Sequence, residues 1–257
     1  MRRTGVISTV VTRLGVPYDT NLELIRMAKQ KFPGFPLEML HFFDRLGKNN
    51  NREWFAKNKP KYEEHVLGPA LSFVEAMQAP LKKLSPHFLA IPKRQGGSVM
   101  RIYRDVRFSK DKRPYKTNLG IHFRHEKGKD VHAPGFYFHV DNDEAFLGAG
   151  IWHPDGPTLR RIRKAIDKRS ADWKKAKGGA AFKKRFELGG DSLVRPPKGY
   201  DAEHPLIEDL KRKDHIAMTK LDYDILLSPE IVKETTAAFR AAKNYVAFLC
   251  EAIGVKF

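Results

Sequence analysis

Cysteine is nearly missing from this chain of 257 residues, and long apolar runs are missing altogether. The single cysteine, Cys250, can form no disulfide within the chain, which fits a reducing compartment. No apolar run approaches the ~20 residues that a membrane-spanning helix needs. We therefore expect a cytoplasmic protein that makes no contact with a membrane.

The sequence also lacks the motifs that mark common cofactor, metal and nucleophile sites. It contains no Walker loop, no G-x-G-x-x-G fingerprint, no H-E-x-x-H signature and no nucleophile elbow around Ser109. His122, His139 and His153 could approach Asp141 in the predicted sheet, but histidines satisfied on a polar face explain this pattern better than a metal site. We expect neither a cofactor nor a bound metal.

Acidic residues are missing from the first eighteen positions, which are rich in Ser, Thr and Arg. Transit peptides share this composition, whereas the apolar run is too short and broken for a secretory signal. A mobile extension that precedes the fold explains the segment more simply. We assign residues 1–34 to an N-terminal extension and residues 35–257 to a single domain.

Helical periodicity marks both ends of this predicted domain. Residues 36–47 predict a short helix, and residues 52–84 predict a long amphipathic helix that its prolines bend or divide. At the C-terminal end, residues 229–253 predict one helix that Ser228 caps and Gly254 stops.

Between these helices, apolar and polar residues alternate as they do in strands with one buried face. The alternation covers residues 101–108, 118–125, 135–141 and 144–153, and the short connections predict antiparallel neighbours. We therefore expect an α+β fold, in which a central antiparallel β-sheet is packed by helices from the N-terminal and C-terminal parts.

Two glycines interrupt the polar face of the predicted sheet. Gly148 and Gly150 lie between Phe146 and Trp152. Glycines at these positions would let a ligand approach the sheet backbone and stack on an aromatic ring, but they also ease strand twist or a bulge.

Basic charge is abundant: 48 Lys and Arg against 30 Asp and Glu give a formal net charge of +18. Such a balance predicts anionic partners, which include nucleic acid, phosphorylated metabolites and acidic surfaces. The charge alone does not choose among them.

The densest basic segment is RIYRDVRFSKDKRPYKT, residues 101–117, with seven Lys or Arg and two Asp. Arg forks bind phosphate or carboxylate at two points, and Lys adds mobile charge. Asp105 and Asp111 could orient the arginines, or Asp105 could serve as the one acid or base candidate for catalysis. Alternatively, the arginines pair with nearby carboxylates only for structure. The residues predicted to bind a ligand are Arg101, Tyr103, Arg104, Arg107, Lys110, Lys112, Tyr115, Lys116, His139 and Trp152.

This segment, with NNNREWF before it and FLGAGIW after it, resembles the conserved hypothetical proteins of the domain of unknown function 2461 family. The resemblance spans roughly residues 35–257. The resemblance strengthens the hypothesis that the basic segment is a site, and it names no reaction. The positions that fit the family pattern are Asn50, Trp54, Arg101, Tyr103, Arg104, Asp105, Arg107, Phe108, Lys110, Lys112, Pro114, Tyr115 and Lys116.

Three functions remain open at the level of sequence. The protein could bind or act on a small phosphorylated or carboxylated ligand, held by Arg101, Tyr103, Arg107 and Trp152. It could instead bind nucleic acid, since Lys and Arg also crowd residues 160–185. A structural or interaction domain is the third. Converging arginines in a concave site would favour the first function, and a continuous basic stripe would favour the second.

Overall fold

A five-stranded antiparallel sheet lies at the centre of the computed structural model, which describes residues 31–128 and 133–257. The strands are β1 (Leu119–Arg124), β2 (Gly135–Val140), β3 (Ala145–Ile151), β4 (Glu187–Gly189) and β5 (His215–Lys220). Their order is β1-β2-β3-β5-β4, and each neighbouring pair is antiparallel. Positions 1–30 of the predicted N-terminal extension, residues 1–34, lie outside the described residues.

In the described part of the chain, three helices and a π-helical turn precede the sheet. They are α1 (Leu37–Lys48), α2 (Arg52–Tyr62), the turn Glu63–Leu67 and α3 (Gly68–Leu84). Asn51 caps α2, because its side chain accepts a hydrogen bond from the Trp54 N–H at 2.9 Å. The π-helical turn lies between Pro60 and Pro69, so the long predicted helix is divided where two prolines remove backbone donors.

Helices also surround the last strands. They are α4 (Gly156–Lys168), α5 (Ser170–Gly178), α6 (Ala180–Arg185), α7 (Ile207–Lys211), α8 (Tyr223–Leu226), α9 (Ile231–Ala241) and α10 (Lys243–Ile253). The prediction of a single last helix is wrong, since the chain breaks it at Ala242 into α9 and α10. Gly254 ends α10 in the left-handed region, at φ +82°. No helix in the described part of the chain is long and apolar enough to cross a membrane.

One face of the sheet packs on helices from both parts of the chain. Phe138 of β2 lies 4.9 Å, between ring centroids, from Phe73 of α3, and Phe136 lies 4.7 Å from Phe239 of α9. All four rings are fully buried. The predicted α+β fold, with a central antiparallel sheet packed by N-terminal and C-terminal helices, is confirmed.

Residues 101–108 do not form the predicted strand. Single bridges, Val99 with Ile121 and Tyr103 with Tyr115, are the sheet-like pairings around this segment. The side chain of Asp105 accepts a hydrogen bond from the backbone N–H of Arg107, two residues later. Such local turns compete with strand pairing, so the segment folds on itself as a loop.

Candidate functional site

A cavity of about 550 Å³ lies on the face of the sheet opposite the packed phenylalanines. Alternate residues of β1, β2, β3 and β5 reach it, because side chains two positions apart share a face. Its volume is within the range of ~300–1,000 Å³ that small-molecule sites occupy. The lining residues are Met100, Lys116, Asn118, His122, Gly135, Tyr137, His139, Phe146, Gly148, Ala149, Gly150, Trp152, Ile216 and Met218.

Glycines create much of this space. Gly148 pairs with Tyr137, and Gly150 pairs with Gly135, so the centre of the sheet carries few side chains on this face. Gly150 has φ +126°, a backbone conformation that favours glycine. At Gly148, by contrast, a Cβ atom would make an ordinary contact of 3.4 Å with the Cβ of Tyr137. Gly148 therefore leaves room without any need for an unusual backbone.

Flat rings form the walls beside the glycines. The imidazole of His139 stacks on Phe146 with ring centroids 4.6 Å apart and an interplanar angle of 14°. Trp152 lines the cavity, is 48% exposed, and stacks on His153 at 4.2 Å. These surfaces suit a flat apolar ligand body, because aromatic rings attract through stacked faces as well as through buried area.

A hydrogen-bonded chain joins Tyr137, His139 and Asp141 along the cavity wall. The Asp141 carboxylate lies 3.2 Å from His139 Nε2, and the Tyr137 hydroxyl lies 3.3 Å from His139 Nδ1. Because a carboxylate only accepts, Nε2 carries the proton, and in the neutral ring Nδ1 accepts from the tyrosine. Burial, and then the charge of Asp141, raise the pKa of Tyr137 to about 12. The phenol therefore stays protonated at neutral pH and donates a hydrogen bond.

Lys116 brings positive charge to the cavity. Its side chain is half-buried, and it forms no ion pair within the described residues. Burial lowers the pKa of Lys116, and the positive charge of Arg101 lowers it further. The two cations therefore repel each other. A bound anion would offset both this repulsion and the free-energy cost of burying the ammonium group.

The basic loop, residues 101–117, is anchored at its base next to this cavity. Asn50 holds the backbone of Tyr115 at two points: its Nδ2 donates to the carbonyl at 2.9 Å, and its Oδ1 accepts from the N–H at 3.1 Å. The ring of Tyr115 is buried and stacks on Phe55 at 4.1 Å. The backbone N–H of Lys116 donates to the carbonyl of Ile102, which closes the two arms of the loop.

Two aspartates neutralise part of the charge inside the basic loop. Asp105 binds the Arg107 guanidinium at two points, 2.9 and 2.7 Å, and this hydrogen bonding lowers the pKa of Asp105 to about 2. Asp111 binds Arg113 at 2.7 Å and Arg104 at 2.6 Å. These arginines are held by carboxylates of their own loop.

The comparison with protein families identifies this chain. The sequence profile of one family, described as "Conserved hypothetical protein (DUF2461)", matches residues 38–248. The chain belongs to this family. A search of curated proteins and a search of solved structures find no match to the chain.

In this DUF2461 chain, only part of the predicted ligand set meets at the cavity. Lys116, His139 and Trp152 line it, and Arg101 approaches Lys116 closely enough to lower its pKa. Tyr115 is buried beneath the basic loop. The other predicted ligand residues lie on the loop and do not line the cavity: Tyr103, Arg104, Arg107, Lys110 and Lys112.

Asp105, the predicted acid or base, does not line the cavity either. With a pKa near 2 and a two-point bond to Arg107, it is a poor proton acceptor at neutral pH. Its role in catalysis stays an untested prediction. Within residues 31–128 and 133–257, no group of three or more His, Cys, Asp or Glu is placed to hold a metal ion.

Sequence reasoning missed several residues of the DUF2461 cavity. Tyr137 was available from the alternation, because it shares a strand face with His139. Ile216 and Met218 belong to β5, which lies beside β3 and was not predicted as a strand. Met100 precedes the basic loop, and no sequence pattern links it to the sheet.

Helices α4–α6 carry the second concentration of basic residues. Some of these side chains form ion pairs with other parts of the chain: Arg169 with Glu251, Lys177 with Asp209, and Arg185 with Glu234. Others are exposed to solvent: Arg160, Arg161, Lys164, Lys168, Lys174, Lys175, Lys183 and Lys184. The exposed set is what a nucleic acid could contact.

Proposed function

We propose that the cavity binds a small ligand that combines a flat apolar body with one carboxylate or phosphate group. The body would lie between Phe146, Trp152 and Met218, and the anion would lie at Lys116. Small-molecule sites share this design: mostly apolar walls, and a few polar groups that fix orientation. The Tyr137 hydroxyl, whose proton is donated to His139, would accept a hydrogen bond from a polar atom of the ligand through its oxygen.

The observation that carries the proposal is the environment of Lys116. A half-buried ammonium group normally has a carboxylate partner, because burial without one is costly. Lys116 has a second cation, Arg101, beside it and no carboxylate partner among the described residues. An anionic ligand would supply the missing charge, which is why an anion is favoured over a neutral ligand.

A matched pair of probes tests the charge requirement. Biphenyl-4-carboxylate and biphenyl-4-carboxamide share a flat apolar body, and only the first is an anion. We expect isothermal titration calorimetry to show tighter binding of the carboxylate. Lys116→Met should weaken binding of the carboxylate by about 1.5–3 kcal/mol, the range for hydrogen bonds to charged groups. Binding of the carboxamide should stay nearly unchanged.

Two further variants separate this site from the rest of the basic surface. Gly148→Leu places a side chain in the cavity from a backbone that tolerates a Cβ, so it should abolish binding of both probes. Lys110→Met removes an exposed charge of the basic loop and should change neither affinity. Equal weakening of both probes in Lys116→Met, or full binding in Gly148→Leu, would overturn the proposal.

A second candidate function, binding of nucleic acid by α4–α6, is supported by the exposed lysines of these helices. The pair Lys174 and Lys175 and the pair Lys183 and Lys184 are exposed, and none of the four has an ion-pair partner among the described residues. Free surface cations of this kind contact phosphates without reading sequence.

A further inference from the structure

Phe108 is the most exposed large apolar side chain among the described residues, with 96% of its surface in contact with solvent. It lies in the middle of the basic loop, far from either anchored end in sequence. Single apolar residues on a surface are common, but an exposed aromatic ring on a basic loop is a recognised way to hold an unpaired base.

The loop holds this ring outward through bonds between its own two arms. The backbone N–H of Arg104 donates to the carbonyl of Pro114, and the guanidinium of Arg104 binds Asp111 at 2.6 Å. Nearer the tip, Lys112 Nζ donates to the carbonyl of Val106 at 3.0 Å. These links fix the loop before any partner arrives, so presenting Phe108 requires little ordering on binding.

The net positive charge of the basic loop is complementary to a polyanion. Seven basic and two acidic side chains leave a net charge of five positive units on seventeen residues. Lys110, two positions after Phe108, is exposed and forms no ion pair within the described residues, and the Arg107 guanidinium lies 5.8 Å from the Phe108 ring centroid. Tyr103, 53% exposed, adds a second ring on the same loop.

We infer that the basic loop binds single-stranded nucleic acid, with Phe108 stacked on an unpaired base and Lys110 next to a phosphate. Bases in a duplex are already stacked on each other, so a protruding ring stacks at the lowest cost where a base is unpaired. An anionic membrane is the weaker partner, because Val106 is half-buried and leaves Phe108 as the only fully exposed apolar group on the loop. This inference does not depend on the cavity or on α4–α6.

Fluorescence polarisation with a labelled twenty-nucleotide oligodeoxythymidylate, at ~50 mM salt and with the full chain, tests the inference. Phe108→Ala should weaken binding about tenfold, within the range for removal of one stacked base, with an unchanged dependence on salt. Phe108→Trp should restore it. Lys110→Gln should reduce the slope of log affinity against log salt by about 0.7, the value for one phosphate contact on a single strand.

Val194→Ala is the matched control, since Val194 is 93% exposed and lies outside the loop; it should bind like the parent chain. The inference is overturned if the oligonucleotide does not bind, or if Phe108→Ala binds it as the parent does. Equal weakening for a duplex of the same length would also overturn it, because stacking would then not be the cause. Phe108-dependent binding to vesicles with a quarter phosphatidylserine, without such dependence for the oligonucleotide, would assign the loop to membranes instead.

Discussion

His153 binds the carboxylate of Asp214 through two of its own nitrogen atoms. The backbone N–H donates to Asp214 Oδ1 at 2.7 Å, and ring Nδ1 donates to the same oxygen at 2.6 Å. The backbone N–H of Asp191 donates to the other oxygen at 2.9 Å. His153 has φ +47°, which is uncommon for a residue other than glycine, so this shared acceptor holds a strained turn next to Trp152 of the cavity.

Replacement of Asp214 by alanine should therefore destabilise the protein strongly. The side chain is buried, and burial alone would raise its pKa, but the hydrogen bonds from Asp191 and His153 lower the pKa below its ordinary value. Asp214→Ala removes a charged acceptor from three donors and should cost about 3 kcal/mol or more, as measured by urea unfolding.

Asp143→Ala serves as the control for this experiment. Asp143 is exposed in the turn between β2 and β3, and its own backbone N–H, which the substitution keeps, makes the local bond to Asp141. We expect a change within about 0.5 kcal/mol. A similar small change in Asp214→Ala would mean that the turn at His153 is stable without its acceptor.

The contact between Asn50 and Tyr115 gives the second prediction. Asn50→Ala leaves both backbone groups of Tyr115 without their partner, so the base of the basic loop should open more often. Limited digestion with trypsin should cut the loop, at Lys110 or Lys112, several-fold faster than in the parent chain. Asn142→Ala, an exposed substitution, should leave the cutting rate unchanged.

The fold was predictable because the packing that decides it follows local periodicity. Phe136, Phe138 and Val140 alternate with Tyr137 and His139, and this alternation alone assigns the two faces of β2. The same reasoning failed for the basic segment, residues 101–117. Ile102, Val106 and Phe108 also look like one strand face, but Ile102 is buried whereas Phe108 is in solvent. The chain turns because aspartate side chains accept hydrogen bonds from backbone N–H groups two residues later.

The cavity was only partly predictable for a related reason. Lys116, His139 and Trp152 were selected for their chemistry, but what brings them together is the pairing of β2 with β3 and the position of Met100 beside Gly120. Contacts between residues distant in sequence carry no periodic signal. The arginines Arg104 and Arg107 were selected for their anion-binding forks, and the sequence pattern could not tell that Asp111 and Asp105 already occupy them.

His215 gives a prediction about the dependence of stability on pH. Its ring is fully buried, and neither ring nitrogen has a hydrogen-bond partner among the described residues. Burial, with added repulsion from Arg212 and Arg163, lowers its pKa from 6.5 to about 3. Between these two values the unfolded chain binds a proton that the folded chain does not, so the free energy of unfolding falls as the pH falls.

From about pH 7.5 to about pH 5, this one histidine should remove about 2 kcal/mol from the free energy of unfolding, at 1.36 kcal/mol for each pH unit below 6.5. Urea unfolding at both pH values measures the decrease. His215→Leu places an apolar side chain of similar size at this buried position. In this variant the decrease should be smaller by about 2 kcal/mol. An equal pH dependence in the two proteins would mean that His215 can be protonated in the folded state.

The last prediction concerns α4–α6 and duplex DNA. If the exposed lysines there bind phosphates, Lys183→Gln with Lys184→Gln should weaken duplex binding and reduce the salt slope by up to about 0.9 for each lysine that binds a phosphate. Lys82→Gln with Lys83→Gln removes the same charge from the exposed end of α3. Because both pairs lower the net charge equally, a long-range effect of the +18 total would change the two variants alike. Only direct binding at α6 makes the α6 pair weaker than the α3 pair, so equal behaviour of the two variants would exclude Lys183 and Lys184 as phosphate contacts.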